Sequence, residues 1–485
     1  MERRLELGRY GMQIGSLSIR AALLAVAFAF VAIALVALRP HPTPGPALRD
    51  FEAYYAAGAT WSSGGNPYGR GIWSAERRVP GVGGSRDEVL PFVGPPQTLP
   101  FWALFARLPY AQAAQVWSVC LGAALLALIW FSLRGAGAAP AGPVVLAAIA
   151  LAIGFGPITS NLALGQVALL ALSGATLAAN FATSTAYTAI GGTLAAFQPN
   201  VALALLSQAT QRRAIFGLAI AAFVTYTGGA FARGPSWPVQ YLRVVAAHHG
   251  AEGLTAIQHT PAAIAFGFGL SPALASALGA ALAVLTVAGA VALCRVVPEP
   301  FARFAACCAL VPLVATFFHE HDFAVAYVPA VWCAMRSRGT IRAVALTGTL
   351  FAAIDWFGLA QRPDGLAQSA ALAWAAALAF LAMRADVELD VKTSLALTVA
   401  AIAFGGGALL ALSHPAPVWP DTLAAFHAPP ALSVAQVWAL EQRRAGLASP
   451  NWAWSVLRLV PLTGCALLAF ATARSATPTP SEATR

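Results

Sequence analysis

The chain has 485 residues, of which 59% are hydrophobic and only 10% charged, with a mean hydropathy of +0.69. A soluble domain carries about 25% charged residues, so a globular enzyme on one anchor is excluded and an all-α polytopic membrane protein is implied. The formal net charge of +10 is arginine, with Lys392 the lone lysine; the arginines are scattered between apolar runs with no basic, aromatic-lined face, which excludes a nucleic-acid partner and suits loops near anionic lipid headgroups.

The N-terminus opens with Arg3, Arg4 and Arg9 and enters an apolar run at 18–38. That run is long for a signal peptide and lacks a small-residue cleavage site, so it reads as a retained first span. Further candidate spans follow at 96–109, 112–133, 142–159, 164–182, 185–206, 213–232, 273–296, 302–318, 322–336, 341–360, 367–383, 393–412 and 452–473. The stretches 96–109 and 322–336 are short for a helix that needs about 20 apolar residues and read as tilted, re-entrant or broken, so about 11 to 14 spans are expected. All belong to one integral membrane domain, 1–474, followed by a polar, disordered cytoplasmic tail, 475–485. The six cysteines, Cys120, Cys294, Cys307, Cys308, Cys333 and Cys465, lie in or beside apolar runs without a CxxC pair. They read as small packing residues, not as a disulfide or zinc framework.

Arginine placement sets the orientation. Arg3, Arg4 and Arg9 put the N-terminus in the cytoplasm, and the count of spans brings Arg212, Arg213, Arg336, Arg338, Arg342 and the segment 384–392 to the same side. Both termini are then cytoplasmic. The segments 39–95, 233–272, 361–366 and 413–451, together with the junction "FFHEHDF", face outward. The polar groups thus gather at one surface of a plasma membrane protein, whereas a transporter concentrates them near the midplane.

Within the first outer segment, "ALRDFEAYYAAGATWSSGGNPYG" reads as an amphipathic interfacial helix. Asp50, Tyr54, Ala57 and Trp61 share one face; Phe51, Tyr55, Gly58 and Ser62 share the next. Gly64 or Gly65 can take a left-handed cap, and Pro67 blocks continuation. Asp50 is either a general base on a rigid element, or simply a helix cap or partner of Arg49. The junction 317–323 offers His319, His321 and Asp322. These are open to three readings: phosphate-binding imidazoles, a metal site without the usual helical zinc spacing, or a polar helix end. "PSWPVQYLRVVAAHHG" supplies Trp237, Tyr241, Arg243, His248 and His249, suited to an anionic headgroup or to an aromatic belt. Asn161, Gln166, Gln198 and Asn200 read as interhelical hydrogen-bonding residues. No nucleotide fingerprint, phosphate loop or triad order is visible in the sequence.

Taken together, "RDFEAYYAAGATWSSGGNPYG", "PPQTLPFWALFARLPYAQAAQVW", "NLALGQVALLAL", "FQPNVALALL" and "FFHEHDFAVAYVPAVW" occur in an order that resembles glycosyltransferase family 87, over about 20–340. That family belongs to the GT-C class and includes polyprenyl-phosphate-mannose-dependent mannosyltransferases. The resemblance implies a GT-C-type helical bundle. It also implies transfer of a sugar, mannose or another hexose or pentose, from a polyprenyl phosphate to a hydroxyl of a glycolipid or glycan acceptor. Asp50 corresponds to the family's first-loop aspartate and would be the general base of an inverting displacement. His321, then His319, correspond to its late histidine near the donor phosphate, with Arg243 as a further candidate. Tyr54, Tyr55, Trp61 and Asp322 would line the acceptor or sugar site. The chain departs from the family at Gln198, where a lysine is frequent, and at His-Glu-His-Asp, where Ser-Trp-x-His-His is frequent, which marks a divergent member. A monophosphate leaving group needs no metal, so no cofactor is expected. The alternatives are a transporter or flippase of lipid-linked sugars, or a non-catalytic membrane scaffold of the same fold.

Overall fold

Apolar stretches of this length must satisfy their backbone groups internally, and in lipid the helix does so within one segment. The computed structural model describes residues 19–38, 47–82, 90–138, 141–384, 386, 389–418 and 427–477, and every regular element among them is helical. Arg3, Arg4 and Arg9, and all of the expected tail from 478 on, lie outside the described residues; the helix Trp452–Ala476 takes in the tail's first positions.

Among the described residues, seven helices are long and apolar enough to cross a membrane: Ile19–Ala37, Tyr110–Gly135, Arg212–Arg233, Pro272–Val296, Pro363–Ala382, Val391–Ser413 and Trp452–Ala476. The pair Gly142–Ile153 and Gly156–Leu164, bent by 69° at the break between them, is a broken span or a re-entrant loop and counts as an eighth in the first case. Ala168–Asn180, Pro300–Val314 and Gly339–Ala353 are shorter apolar helices. The polytopic all-α class holds. Several stretches are broken: the short 96–109 and 322–336, for which a break is one expected outcome, and two that read as single spans. The stretch 96–109 is a 3-10 turn, Pro96–Thr98, followed by Leu99–Phe105. The stretch 185–206 stops at Thr185–Ala195 and restarts at Pro199. The stretch 322–336 begins in a 3-10 turn, Glu320–Ala326, ahead of Tyr327–Arg336. In 341–360 the chain breaks after Ala353, and the Asp355 carboxylate caps Trp356–Gln361 by accepting from the Gly358 N–H at 2.8 Å. Prolines and capping side chains interrupt these runs, and an average of hydropathy passes over them.

Two ends of the bundle are chemically distinct. At one, buried arginines satisfy the last carbonyls of the Leu366–Ala382 helix: Arg20 donates to the Ala382 oxygen at 2.8 Å and Arg342 to the Leu381 oxygen at 3.0 Å. Cations are favoured there because a helix C-terminus carries partial negative charge. From this end the Gly339–Ala353 helix runs against Trp452–Ala476. They cross at Gly348 and Gly464, where a Cβ on either glycine would come within 2.9 Å or 2.7 Å of the other's carbonyl oxygen. Only glycine permits that approach, and small residues are the usual means of close packing in membranes. The opposite end gathers Asp50, Glu252 and Asp322 with their amide partners Gln166, Gln258 and Gln198 and the imidazoles of His319 and His321.

Candidate active site

The first-loop helix, Arg49–Ser62, begins at Leu48, whose φ of 53° places it in the left-handed region. Asp50 is therefore not the cap; it is in the first turn, where the partial positive charge of a helix N-terminus favours a carboxylate. The helix ends as expected. Gly64 takes φ +79°, and the Gly64 and Gly65 N–H groups donate back to the Trp61 and Thr60 carbonyls at 3.0 and 2.9 Å. One face carries Phe51, Tyr55 and Gly58 into an aromatic cluster. Phe51 stacks on Trp117 with centroids 5.9 Å apart, and a Cβ on Gly58 would lie 2.4 Å from the Trp102 backbone.

Asp50 and Tyr54, on the adjoining face, meet a single amide. Gln166 donates through Nε2 to the Asp50 Oδ2 at 2.5 Å and accepts from the Tyr54 hydroxyl at 2.7 Å. Tyr54 is further fixed by stacking on Trp102 at 4.8 Å. Gly165 makes this seat possible. Its φ is +77°, and a Cβ there would lie 2.8 Å from the Cβ atoms of Leu48 and Phe51.

The Gly156–Leu164 helix that ends at this glycine also holds the junction: Asn161 donates to the His321 carbonyl at 2.6 Å. Asn200 donates to the Phe317 carbonyl at 2.6 Å, and Gln198 to the Asp322 Oδ1 at 2.6 Å. Asp322 Oδ2 in turn accepts from the His319 backbone N–H at 2.9 Å. The four amide residues thus act on the candidate site itself, two of them on carboxylates and two on junction carbonyls.

A further carboxylate lies behind the junction. Glu252, at the end of the Trp237–Glu252 helix, is 1% exposed. It accepts from His319 Nε2 at 2.6 Å and Gln258 Nε2 at 2.6 Å through one oxygen, and from Trp438 Nε1 at 2.5 Å through the other. His248, one turn earlier, lies 3.0 Å from that second oxygen. Arg458, itself buried, donates to the Thr255 and Gln258 carbonyls at 3.2 and 2.8 Å and so anchors the same loop. Burial pushes the Glu252 carboxyl up, but His319 and His248 outweigh it and hold it below its ordinary value. His319 is pulled down by burial, yet Glu252 and Asp322 leave it net raised. For His321 burial and the neighbouring His319 and His259 act together, and it is lowered well below the ordinary imidazole value. Burial raises Asp50, against opposing effects of Arg49, Gln166 and His319, and lifts Asp322 to about 6.

His319, His321 and Asp322 bring nitrogen and oxygen atoms within 4.8 Å of one another, a spacing an ion could bridge. Both Asp322 oxygens and the His319 Nε2 also have the hydrogen-bond partners named above.

Of the residues expected at the site, Asp50, Tyr54, His319, His321 and Asp322 come together. The Tyr55 hydroxyl instead donates to the Leu108 carbonyl at 2.9 Å, and the Trp61 indole to the Ala232 carbonyl at 3.0 Å. Arg243 is exposed. It lies nine residues before Glu252, which at about 100° per residue is the opposite face of that helix. Glu252, Gln258 and Trp438 were not read from the sequence; the i,i+4 spacing of His248 and Glu252 was the available signal for the first.

Fold and site define a polytopic helical membrane protein with an acid, amide and imidazole cluster at one end of its bundle. Residues 92–317, a little under half of the chain, match the family model of glycosyltransferase family 87, and that family indicates a membrane glycosyltransferase. The match contains Gln166, Gln198 and Glu252 and ends just before His319; Asp50 precedes it. No curated protein and no solved structure matches the chain.

Proposed function

We propose that the protein is a GT-C-type glycosyltransferase that moves a sugar from a polyprenyl phosphate to a hydroxyl of a glycolipid or glycan acceptor. The single observation that carries this reading is the Gly156–Gln166 segment, which holds Asp50 through Gln166 and the junction histidines through Asn161, inside the family-matched stretch. A base for the acceptor and donors for the leaving phosphate are what a direct displacement requires.

In that displacement the acceptor oxygen attacks the anomeric carbon from the face opposite the phosphate. Its proton passes to Asp50, the bond from the anomeric carbon to the phosphate oxygen breaks, and that electron pair leaves on the lipid phosphate, with inversion. Burial raises the affinity of Asp50 for a proton, which suits a base. His321 and His319 supply donors to the departing phosphate, and Tyr54 lines the acceptor side. The arginine-capped end is cytoplasmic and the acid-imidazole end extracytoplasmic, in the plasma membrane. No metal is required for a monophosphate leaving group.

Purified protein given a polyprenyl-phosphate sugar and a glycolipid acceptor is the test. Asp50→Asn is expected to lower turnover by at least about a hundredfold, the usual scale for loss of a general base, with folding unchanged. A fully active Asp50→Asn protein overturns the mechanism. Turnover is expected to survive EDTA unchanged, and loss of activity restored by added divalent ion overturns the metal-free reading.

A further inference from the structure

Glu252 has no place in the displacement just described, yet four side chains converge on its carboxylate. Burying an ionised carboxylate is costly unless charge and hydrogen bonds compensate. Its donors come from its own helix (His248), the following loop (Gln258), the junction (His319) and the Val434–Arg444 helix (Trp438). Only the two imidazoles among them can carry charge.

The bond to His319 has a chemical consequence for the ring. Glu252 accepts from Nε2–H, so Nδ1 is the nitrogen left for a ligand. Neutral imidazole with its proton on Nε2 has a bare Nδ1, which accepts and cannot donate. Only the imidazolium can hold Glu252 and donate to a phosphate oxygen at the same time, and an adjoining carboxylate favours that form. The groups facing His319 are Glu252 and Gln258 behind it, Asp322 and His321 in the junction, Asp50 from the first-loop helix and His259 from the 255–260 loop. Three of these are acids. His321 is built differently: its ring stacks on His319 at 5.3 Å and 30°, and its carboxylate neighbours Glu320 and Asp322 stand off at 3.8 Å. The two histidines are therefore unequal, one braced by a carboxylate in direct contact and one not.

We propose that Glu252 is a positioning residue that makes His319, rather than His321, the cation meeting the donor's lipid phosphate: it grips the ring by Nε2 and leaves Nδ1–H to bind the phosphate and stabilise it as it departs. This rests on the donor class proposed above.

A double-mutant cycle read by binding tests it without depending on turnover. The full chain in lipid nanodiscs is titrated with a polyprenyl monophosphate, and Glu252→Gln, His319→Gln, the double variant and His321→Gln are compared. Glu252→Gln and His319→Gln are each expected to weaken binding by tenfold or more, the double variant to be no weaker than His319→Gln, and His321→Gln, which removes an uncharged donor, to weaken binding less than either of them. The pH at which wild-type affinity is lost on the alkaline side is expected to move down in Glu252→Gln, because the His319 imidazolium loses its counter-charge. Glu252→Asp, which keeps the charge and shortens the reach, is the second variant should Glu252→Gln not fold; it is expected to lose part of the affinity, and nothing further in the His319→Gln background. Losses that add in the double variant, an unchanged affinity in Glu252→Gln, or a dominant effect of His321→Gln overturns the proposal. Failure of the donor reading looks different: the wild type binds the lipid phosphate with the expected cycle but transfers no sugar from any polyprenyl-phosphate donor.

Discussion

Asp50 draws its properties from burial, from Arg49 beside it and from the Gln166 amide that meets its carboxylate. Burial raises its pKa above the ordinary 3.8, and the Gln166 hydrogen bond, which favours the carboxylate, works against that rise. A general base acts only when deprotonated, so kcat/KM is expected to fall as pH drops through the raised Asp50 value, above the usual carboxylate range. Gln166→Leu removes the stabilising bond and is expected to move this acid limb to still higher pH. It should also lower kcat/KM at neutral pH roughly 10- to 100-fold, the equivalent of about 1.5–3 kcal/mol for a hydrogen bond to a charged group. A pH–rate profile with an unmoved acid limb sinks this assignment. Asp50 and the junction were legible as candidate site residues because ionisable groups beside apolar runs are costly, and Tyr54 because it shares the Asp50 face of its helix. Gln166 and Asn161 read only as interhelical glue, because one amide looks like another until its partner is known. Glu252 was missed because its partners, Gln258, His319 and Trp438, lie in three separate segments of the chain.

The first-loop helix shows what periodicity can and cannot say. It separated the Asp50–Tyr54 face from the Phe51–Tyr55–Gly58 face, and the turn residues marked where the helix stops. What each face meets was not in the pattern. The polar atoms of Tyr55 and Trp61, both expected beside a sugar, are tied to the Leu108 and Ala232 carbonyls, fastening the helix to its neighbours. Its start is also unlike the expectation, since the left-handed Leu48 takes the capping position, held by the Tyr110 hydroxyl at 3.2 Å from its carbonyl. The element that positions this helix is the Gly165 turn, and it leaves no room for a side chain. Gly165→Ala is expected to cost about 1–3 kcal/mol for a non-glycine residue held at positive φ. The contact with Leu48 and Phe51 should also displace Gln166, so thermal stability and kcat/KM should fall together. An alanine variant as stable and active as the wild type refutes the seat described for Asp50.

For the whole molecule, the end carrying Arg20 and Arg342 and the end carrying Asp50, Glu252 and His319 are joined by helices such as Gly339–Ala353, which leaves the arginines and arrives at Asp355. If the arginine end is cytoplasmic, a cysteine placed at exposed Arg338 is expected to react with a membrane-impermeant thiol reagent only after the cells are opened, and one at exposed Ser62 in intact cells. The reverse pattern overturns the orientation. Composition and hydropathy alone determined that this is a polytopic helical membrane protein, because about 20 apolar residues without charge have one stable home and one way to satisfy their backbone there. The ordered motifs alone brought out the resemblance to glycosyltransferase family 87. Only the tertiary structure decided which expected spans are broken, which aromatic residues are spent on packing, and that Glu252 belongs with His319. Those outcomes depend on contacts between residues far apart in the chain, and a one-dimensional pattern records which face of a helix is polar but not what that face will touch.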